Sequence, residues 1–131
     1  MLIATVQHFV ESQIMKDFRE LRVWHKAHSL TLHVYKATKK FPKEEMYRLT
    51  SQMRRSSVSI AANIAEGGGR KTDADFCRFL IVALGSGTEL EYHLLLSHDL
   101  ELLTDTEYES LQQELTEIKK MLNSFIQKLS T

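Results

Sequence analysis

Apolar side chains that recur every three or four positions limit the fold of this sequence more than any other feature. Four separate stretches of the 131-residue chain show this spacing, which places the apolar side chains of each stretch on one face of an α-helix. The chain has one proline and five glycines, a composition that favours long helices over a turn-rich β architecture. The sequence therefore predicts an all-α domain.

The interruptions between the four stretches set the expected helix boundaries. We predict helices over residues 21–40, 42–66, 72–102 and 104–129. Pro42 starts the second helix because proline suits a first turn but cannot continue a helix. Thr104 and Glu107 form a Thr-x-x-Glu capping box for the fourth. Because the connections are short, we expect an antiparallel up-down-up-down four-helix bundle over residues 17–131, with residues 1–16 as a peripheral extension.

The second and third predicted helices carry the signs of close packing. The second is rich in Ser and Ala, which allow another helix to approach, and Asn63 is expected to hydrogen-bond across to that neighbour. Gly85–Gly87 lies inside the periodic pattern of the third helix, which indicates helix contact and not a loop. This third helix is apolar on more than one side, so it is either central in the monomer or buried in a homo-oligomer.

The segment "GGGRKT" at residues 67–72 resembles a phosphate-binding loop at first sight. A P-loop needs glycine, four residues, and then Gly-Lys-Ser/Thr after a strand, whereas here Arg70 precedes Lys71 and a helix comes before. We interpret the glycines as a left-handed helix stop and Thr72 as the cap of the next helix. The sequence also lacks Glu-x-x-His and any cysteine pair. We therefore expect no enzyme activity, no metal and no cofactor.

Charge is unevenly distributed although the formal net charge is zero. Residues 16–78 contain 14 Lys/Arg and 7 Asp/Glu, whereas residues 79–131 contain 3 and 9. Such asymmetry is typical of proteins that bind a charged partner or that self-associate through unlike faces. The alternative is that the two halves of the chain neutralise each other's charge within one fold. The candidate nucleic-acid-binding residues lie around the connection between the second and third predicted helices. They are Arg54, Arg55, Arg70, Lys71 and Arg78. A solvated polar end of the bundle has the same sequence pattern.

A second polar group lies among the small residues of the middle helices. Arg55, Asn63, Glu66 and Glu89 are candidates for a buried network that fixes which helix faces which, with ordinary exposure as the alternative. The single cysteine, Cys77, excludes an internal disulfide and indicates a reducing, cytoplasmic compartment. The longest apolar run, residues 79–84, is far shorter than the roughly 20 residues of a membrane-spanning helix, so we expect no membrane segment.

Two segments in particular, "SSVSIAANIAEG" at residues 56–67 and "FCRFLIVALGSGTEL" at 76–90, resemble the four-helix proteins encoded within intervening sequences of bacterial 23S rRNA genes, a family also called ribosomal S-twenty-three-like. The resemblance covers about residues 16–129. Its motif residues are Trp24, Lys26, Ala27, Phe41, Pro42, Glu45, Gln52, Arg55, Ser59, residues 63–67, Gly85, Ser86, Glu89 and Leu90. His25 stands where the family pattern has glutamine, a difference at the surface.

This resemblance implies a homopentameric four-helix bundle without catalytic activity. It also implies similarity to the accessory variability proteins of diversity-generating retroelements, which are pentameric barrels that bind nucleic acid and a reverse transcriptase. The expected partners are therefore further copies of the chain, RNA or DNA, and a nucleic-acid enzyme. A protein-protein assembly module with no nucleic-acid role is the alternative function.

Overall fold

The computed structural model describes residues 17–131. Within that range it has no strand and four α-helices, which are α1 (Arg22–Thr38), α2 (Ser51–Gly68), α3 (Asp73–Asp99) and α4 (Asp105–Ser130). Short 3-10 turns at Phe18–Glu20 and Lys43–Glu45 precede α1 and α2. The predicted all-α class is confirmed. The extension predicted at residues 1–16 lies outside the described residues.

The core is formed by the apolar faces that the spacing identifies. α2 contacts both α1 and α3, and α4 contacts both α3 and α1, so the four helices enclose one core. The largest fully buried apolar side chains come from all four helices: Leu30, Val34, Met53, Ile60, Ile64, Leu80, Leu90, Leu94, Leu115, Ile118 and Leu122. The capping box predicted at Thr104 and Glu107 is present, with each side chain accepting the other residue's backbone N–H.

The start of the second helix differs from the prediction. After Pro42 the chain forms a 3-10 turn and then a π-helical turn at Met46–Thr50, so regular α-helix begins only at Ser51. Arg48 has non-helical angles, φ −122° and ψ −107°, which rotate the preceding turn relative to α2. As a result Met46 is 44% exposed, whereas Leu49 is buried.

The third helix ends three residues earlier than predicted. Glu101 has a positive φ of 62°, a left-handed conformation that stops the helix after Asp99. The Leu102 N–H then donates to the Ser97 carbonyl at 2.8 Å, which satisfies a carbonyl at the helix end. Leu102 therefore belongs to the connection to α4 and not to α3.

By length and composition, α3 is also the one helix among residues 17–131 that could cross a membrane. Core helices of soluble proteins meet the same two criteria. Here α3 buries seven positions, from Phe76 to Ser97, against the other helices. Only 28% of the most apolar 18-residue stretch of α3 is buried, however, so much apolar surface of α3 faces outward.

The contact between α2 and α3 is the most extensive in the structure, and small residues create it. Ser56 and Ser57 are buried, and the hydroxyls of Ser59 and Ser86 lie 2.7 Å apart across the two helices. Asn63 does not reach the neighbour as predicted. Its amide nitrogen donates to the Ser59 carbonyl at 2.8 Å within α2.

The glycines at the end of α2 do not act as a left-handed stop, which corrects the prediction. No described glycine has a positive φ, and Gly67 and Gly68 lie buried inside α2. A methyl group added at Gly67 comes within 2.8 Å of Phe79 Cβ and 2.9 Å of Phe76 Cδ1. Gly67 therefore serves the close approach of α3, because no larger residue fits between the helices.

We predict that Gly67→Ala lowers the free energy of unfolding by about 1–3 kcal/mol, because the added methyl group overpacks the α2–α3 contact. Gly87→Ala is the matched control. Its methyl group lies at an ordinary 3.5 Å from Lys119 Cγ, so its higher helix propensity raises stability by about 0.5–1 kcal/mol. Urea unfolding of both variants measures the difference, and equal effects would contradict the packing argument.

Candidate nucleic-acid interface

The connection between α2 and α3 holds two guanidinium groups against one aromatic ring. The guanidinium carbon of Arg70 lies 4.5 Å from the centroid of the Phe79 ring, and that of Arg78 lies 5.1 Å from it. Both distances are within the range of cation–π attraction. The structure thus places Arg70 and Arg78, two of the predicted binding residues, beside the same half-buried side chain.

Local sequence explains why this corner is tight. α2 ends at Gly68, and the Arg70 N–H donates to the Gly67 carbonyl at 3.0 Å. Thr72 caps α3 by accepting the Asp75 N–H at 3.1 Å. Only four residues separate the two helices, so Lys71 also lies at this corner, next to the positive end of the α3 dipole.

Both arginines have acidic neighbours at the surface. Arg70 lies 3.6 Å from the Glu66 carboxylate, and Arg78 lies 3.3 Å from that of Asp75. The four side chains are 42–67% exposed, and exposed ion pairs contribute only about 0–1 kcal/mol. A phosphate group can therefore exchange with these carboxylates at small energetic cost.

Arg54 and Arg55, the other two predicted binding residues, are not at this corner. Both are near the start of α2, and the remaining length of the helix separates them from Arg70 by about 20 Å at 1.5 Å per residue. Arg54 packs over the Tyr35 ring at 4.7 Å and donates to the Thr38 hydroxyl at 2.9 Å. Arg55 is exposed. The predicted five-residue cluster is thus divided between the two ends of α2.

The structure brings a residue to the corner region that sequence reasoning missed. Gly68 faces Phe18 and Leu21, so the turn before α1 packs on the end of α2. Arg19 lies in this turn, with its guanidinium carbon 4.8 Å from the centroid of the Phe18 ring. The predicted antiparallel arrangement of the first two helices could have indicated this proximity, because it brings the start of α1 beside the end of α2.

The predicted buried network of Arg55, Asn63, Glu66 and Glu89 is not buried in the single chain. Arg55, Glu66 and Glu89 are exposed, and Asn63 is half-buried. Polar contact between the helices instead uses Ser59 and Ser86, joined to Asn63 by a 3.1 Å hydrogen bond from its amide to the Ser59 hydroxyl. Among residues 17–131 no group of three or more His, Cys, Asp and Glu side chains could hold a metal ion.

His93 is the perturbed titratable group on α3. Its Nδ1 atom is buried and has no hydrogen-bond partner among the described residues. Burial lowers the pKa of His93 because it disfavours the charged imidazolium, and the Glu89 carboxylate opposes this effect only in part. The imidazole of His93, which lies on α3 between Ser86 and Ser97, therefore binds a proton less readily than an exposed histidine does.

Four helices around one core, with no strand among residues 17–131, define a small all-α helical protein. Residues 19–124 match the family described as "23S rRNA-intervening sequence protein", and the chain belongs to that family. The structure is also similar to a crystal structure from Bacteroides thetaiotaomicron VPI-5482, described as a protein with unknown function from the S23 ribosomal protein family. The two share 34% sequence identity and a TM-score of 0.72 over 79% of this chain and 97% of the other. No curated protein matches the chain.

We predict that the protein loses stability as pH falls below the ordinary histidine pKa of about 6.5. The pKa of His93 is lowered by folding, so in this range the unfolded chain binds a proton that the folded chain does not, and the free energy of unfolding decreases. His93→Gln should reduce this pH dependence between about pH 8 and about pH 5. Ala74→Gln, an exposed change on the same helix, is the control; an unchanged pH dependence in His93→Gln would contradict the prediction.

Proposed function

We propose that this protein is a non-enzymatic, cytoplasmic homo-oligomer that binds RNA or other nucleic acid through the corner formed by Arg70, Lys71 and Arg78. The observation that carries the proposal is the position of two guanidinium groups 4.5 and 5.1 Å from the Phe79 ring centroid. Stacking on an aromatic ring restricts both side chains before a ligand arrives. The entropy lost on binding a phosphate group is reduced accordingly.

The chemistry of the corner suits phosphates more than bases. Guanidinium and ammonium groups bind phosphate oxygens by charge and hydrogen bonds, and such contacts carry no sequence information by themselves. Binding should therefore be salt-dependent and tolerant of sequence. The family description refers to an intervening sequence of 23S rRNA, which makes structured RNA the first ligand to test.

A homo-oligomer would carry several linked copies of this weak binding site. We infer an up-down-up-down bundle for each copy, because Met53, Ser59 and Gly67 meet Ser97, Ser86 and Phe79 in that order, so α2 and α3 run in opposite directions. Several large apolar side chains remain exposed on this bundle. Their burial between copies supports assembly, and linked sites bind one long polyanion more tightly than separate sites do.

The second candidate function is a protein-protein assembly module with no nucleic-acid role. The ion pairs Arg70–Glu66 and Arg78–Asp75 favour it, because carboxylates already occupy part of the basic corner. A partner protein with acidic side chains could take the place of phosphate there. The two candidates differ in whether RNA binds at low salt.

We predict that the triple variant Arg70→Ala, Lys71→Ala, Arg78→Ala binds a structured RNA more weakly than the parent. Each lost phosphate contact should reduce the slope of log affinity against log salt by about 0.7–0.9. The measurement is a fluorescence anisotropy titration repeated at several salt concentrations, with circular dichroism to verify folding.

The control variant removes three exposed lysines elsewhere, Lys39→Ala, Lys43→Ala and Lys120→Ala, and so has the same net charge. It should bind RNA nearly as the parent does. Equal weakening in both variants would indicate a general charge effect and not a site at the corner. Absence of RNA binding by the parent at low salt would leave the assembly module as the function.

A further inference from the structure

Outside the core, α1 and α2 form an apolar groove. Its lining includes one row of residues on each helix, and we call these two rows the α1–α2 groove: Trp24, His28, Leu32 and Tyr35 on α1, and Val58, Ala62 and Ala65 on α2; Phe18, Thr31 and Ala61 complete the lining. On each helix these residues follow steps of three or four, so they form a second seam beside the one that faces the core. The space within the groove is about 430 Å³. The small side chains of Ala62 and Ala65 leave room for a helix to lie in it.

A second apolar surface lies on α3. Its residues, which we call the α3 stripe, are Ile81, Gly85, Thr88, Tyr92 and Leu95, at steps of four, three, four and three. Ile81 is 54% exposed, Tyr92 59% and Leu95 43%. Gly85 lies in open space, since an added Cβ meets nothing within 4 Å. A glycine here is unfavourable for the helix and has no packing role within the single chain.

The groove lies between α1 and α2, whereas the stripe borders α4, and the two surfaces lie on helices of opposite charge. α1 and α2 together contain five Lys/Arg and one acidic residue. α3 and α4 together contain four Lys/Arg and ten acidic residues. Glu91 and Glu109 border the stripe beside Tyr92, and Arg54 borders the groove over Tyr35. Charge complementarity therefore favours contact between the groove and the stripe.

We propose that the α1–α2 groove of one copy of the chain receives the α3 stripe of the next copy. This proposal rests on the oligomeric part of the proposed function and specifies which faces meet. At 1.5 Å per residue the stripe is about 21 Å long and the α1 side of the groove about 17 Å, so the two surfaces match in length. Gly85 then faces the neighbour, where its missing side chain allows the two backbones to approach.

Contact between unlike faces has a structural consequence. Groove against groove would oppose basic helices, and stripe against stripe would oppose acidic ones, so a symmetric dimer is disfavoured by charge. A heterologous contact leaves one groove and one stripe unfilled at the two ends of any open chain of copies. Assembly therefore continues until a ring closes, or extends into a filament.

The test uses one substitution in each surface, both at exposed side chains that the monomer does not need for its core. Leu32→Glu places a carboxylate in the groove, and Tyr92→Glu places one in the stripe. Gln113→Glu, at an exposed position on α4 outside both surfaces, is the matched control. Light scattering after size-exclusion chromatography gives the molar mass of each variant, alone and mixed.

We expect the unmodified chain and the control to form an assembly of more than two copies, and each groove or stripe variant alone to be a monomer. An equimolar mixture of the two variants should form a two-copy complex of twice the 15.2 kDa chain mass, because one intact groove meets one intact stripe. A monomeric parent would overturn the proposal. A mixture of the two variants that stays monomeric would also overturn it. The same holds if either variant alone still assembles, because that result would indicate a symmetric contact between like surfaces.

The same samples separate this proposal from the nucleic-acid function. The two monomeric variants retain Arg70, Lys71 and Arg78, so each should bind structured RNA with lower avidity than the assembled parent but with similar dependence on salt. If the two-copy complex forms but no species binds RNA, the assembly contact stands and the nucleic-acid function fails. If RNA binds but the mixture stays monomeric, the opposite conclusion follows.

Discussion

α2 and α3 lie so close together that glycine and serine residues form much of the contact between them. Gly67 leaves no side chain between α2 and the rings of Phe76 and Phe79, and the Ser59 and Ser86 hydroxyls meet directly. Because α3 is held against α2 and α4, its remaining apolar side chains face outward. The packing that stabilises one copy thereby exposes the surface with which a second copy is proposed to pair.

The same contact links packing to the candidate binding site. Gly67 sets the position of Phe79, and Phe79 holds the guanidinium groups of Arg70 and Arg78. The basic corner is therefore built on a rigid helix junction instead of a long loop.

Sequence periodicity predicted the helices and most of the core because burial repeats with the helical turn, as at Leu111, Leu115 and Ile118. It could not predict the π-helical turn at Met46–Thr50, because the spacing of the apolar residues there is the same as in an ordinary α-helix. Glycine at a helix end has two uses, left-handed geometry and close approach, and only the structure distinguished them. The binding residues were grouped by proximity in sequence, whereas the length of α2 separates Arg54 and Arg55 from Arg70.

Site-directed cross-linking tests whether unlike faces of identical chains meet. In a Cys77→Ser background, copies carrying Val58→Cys in the groove are mixed with copies carrying Thr88→Cys in the stripe and oxidised mildly. We expect disulfide-linked dimers that join one copy of each variant, and little linkage in either variant alone. Equal linkage within a single variant would show that like faces meet and would contradict the claim.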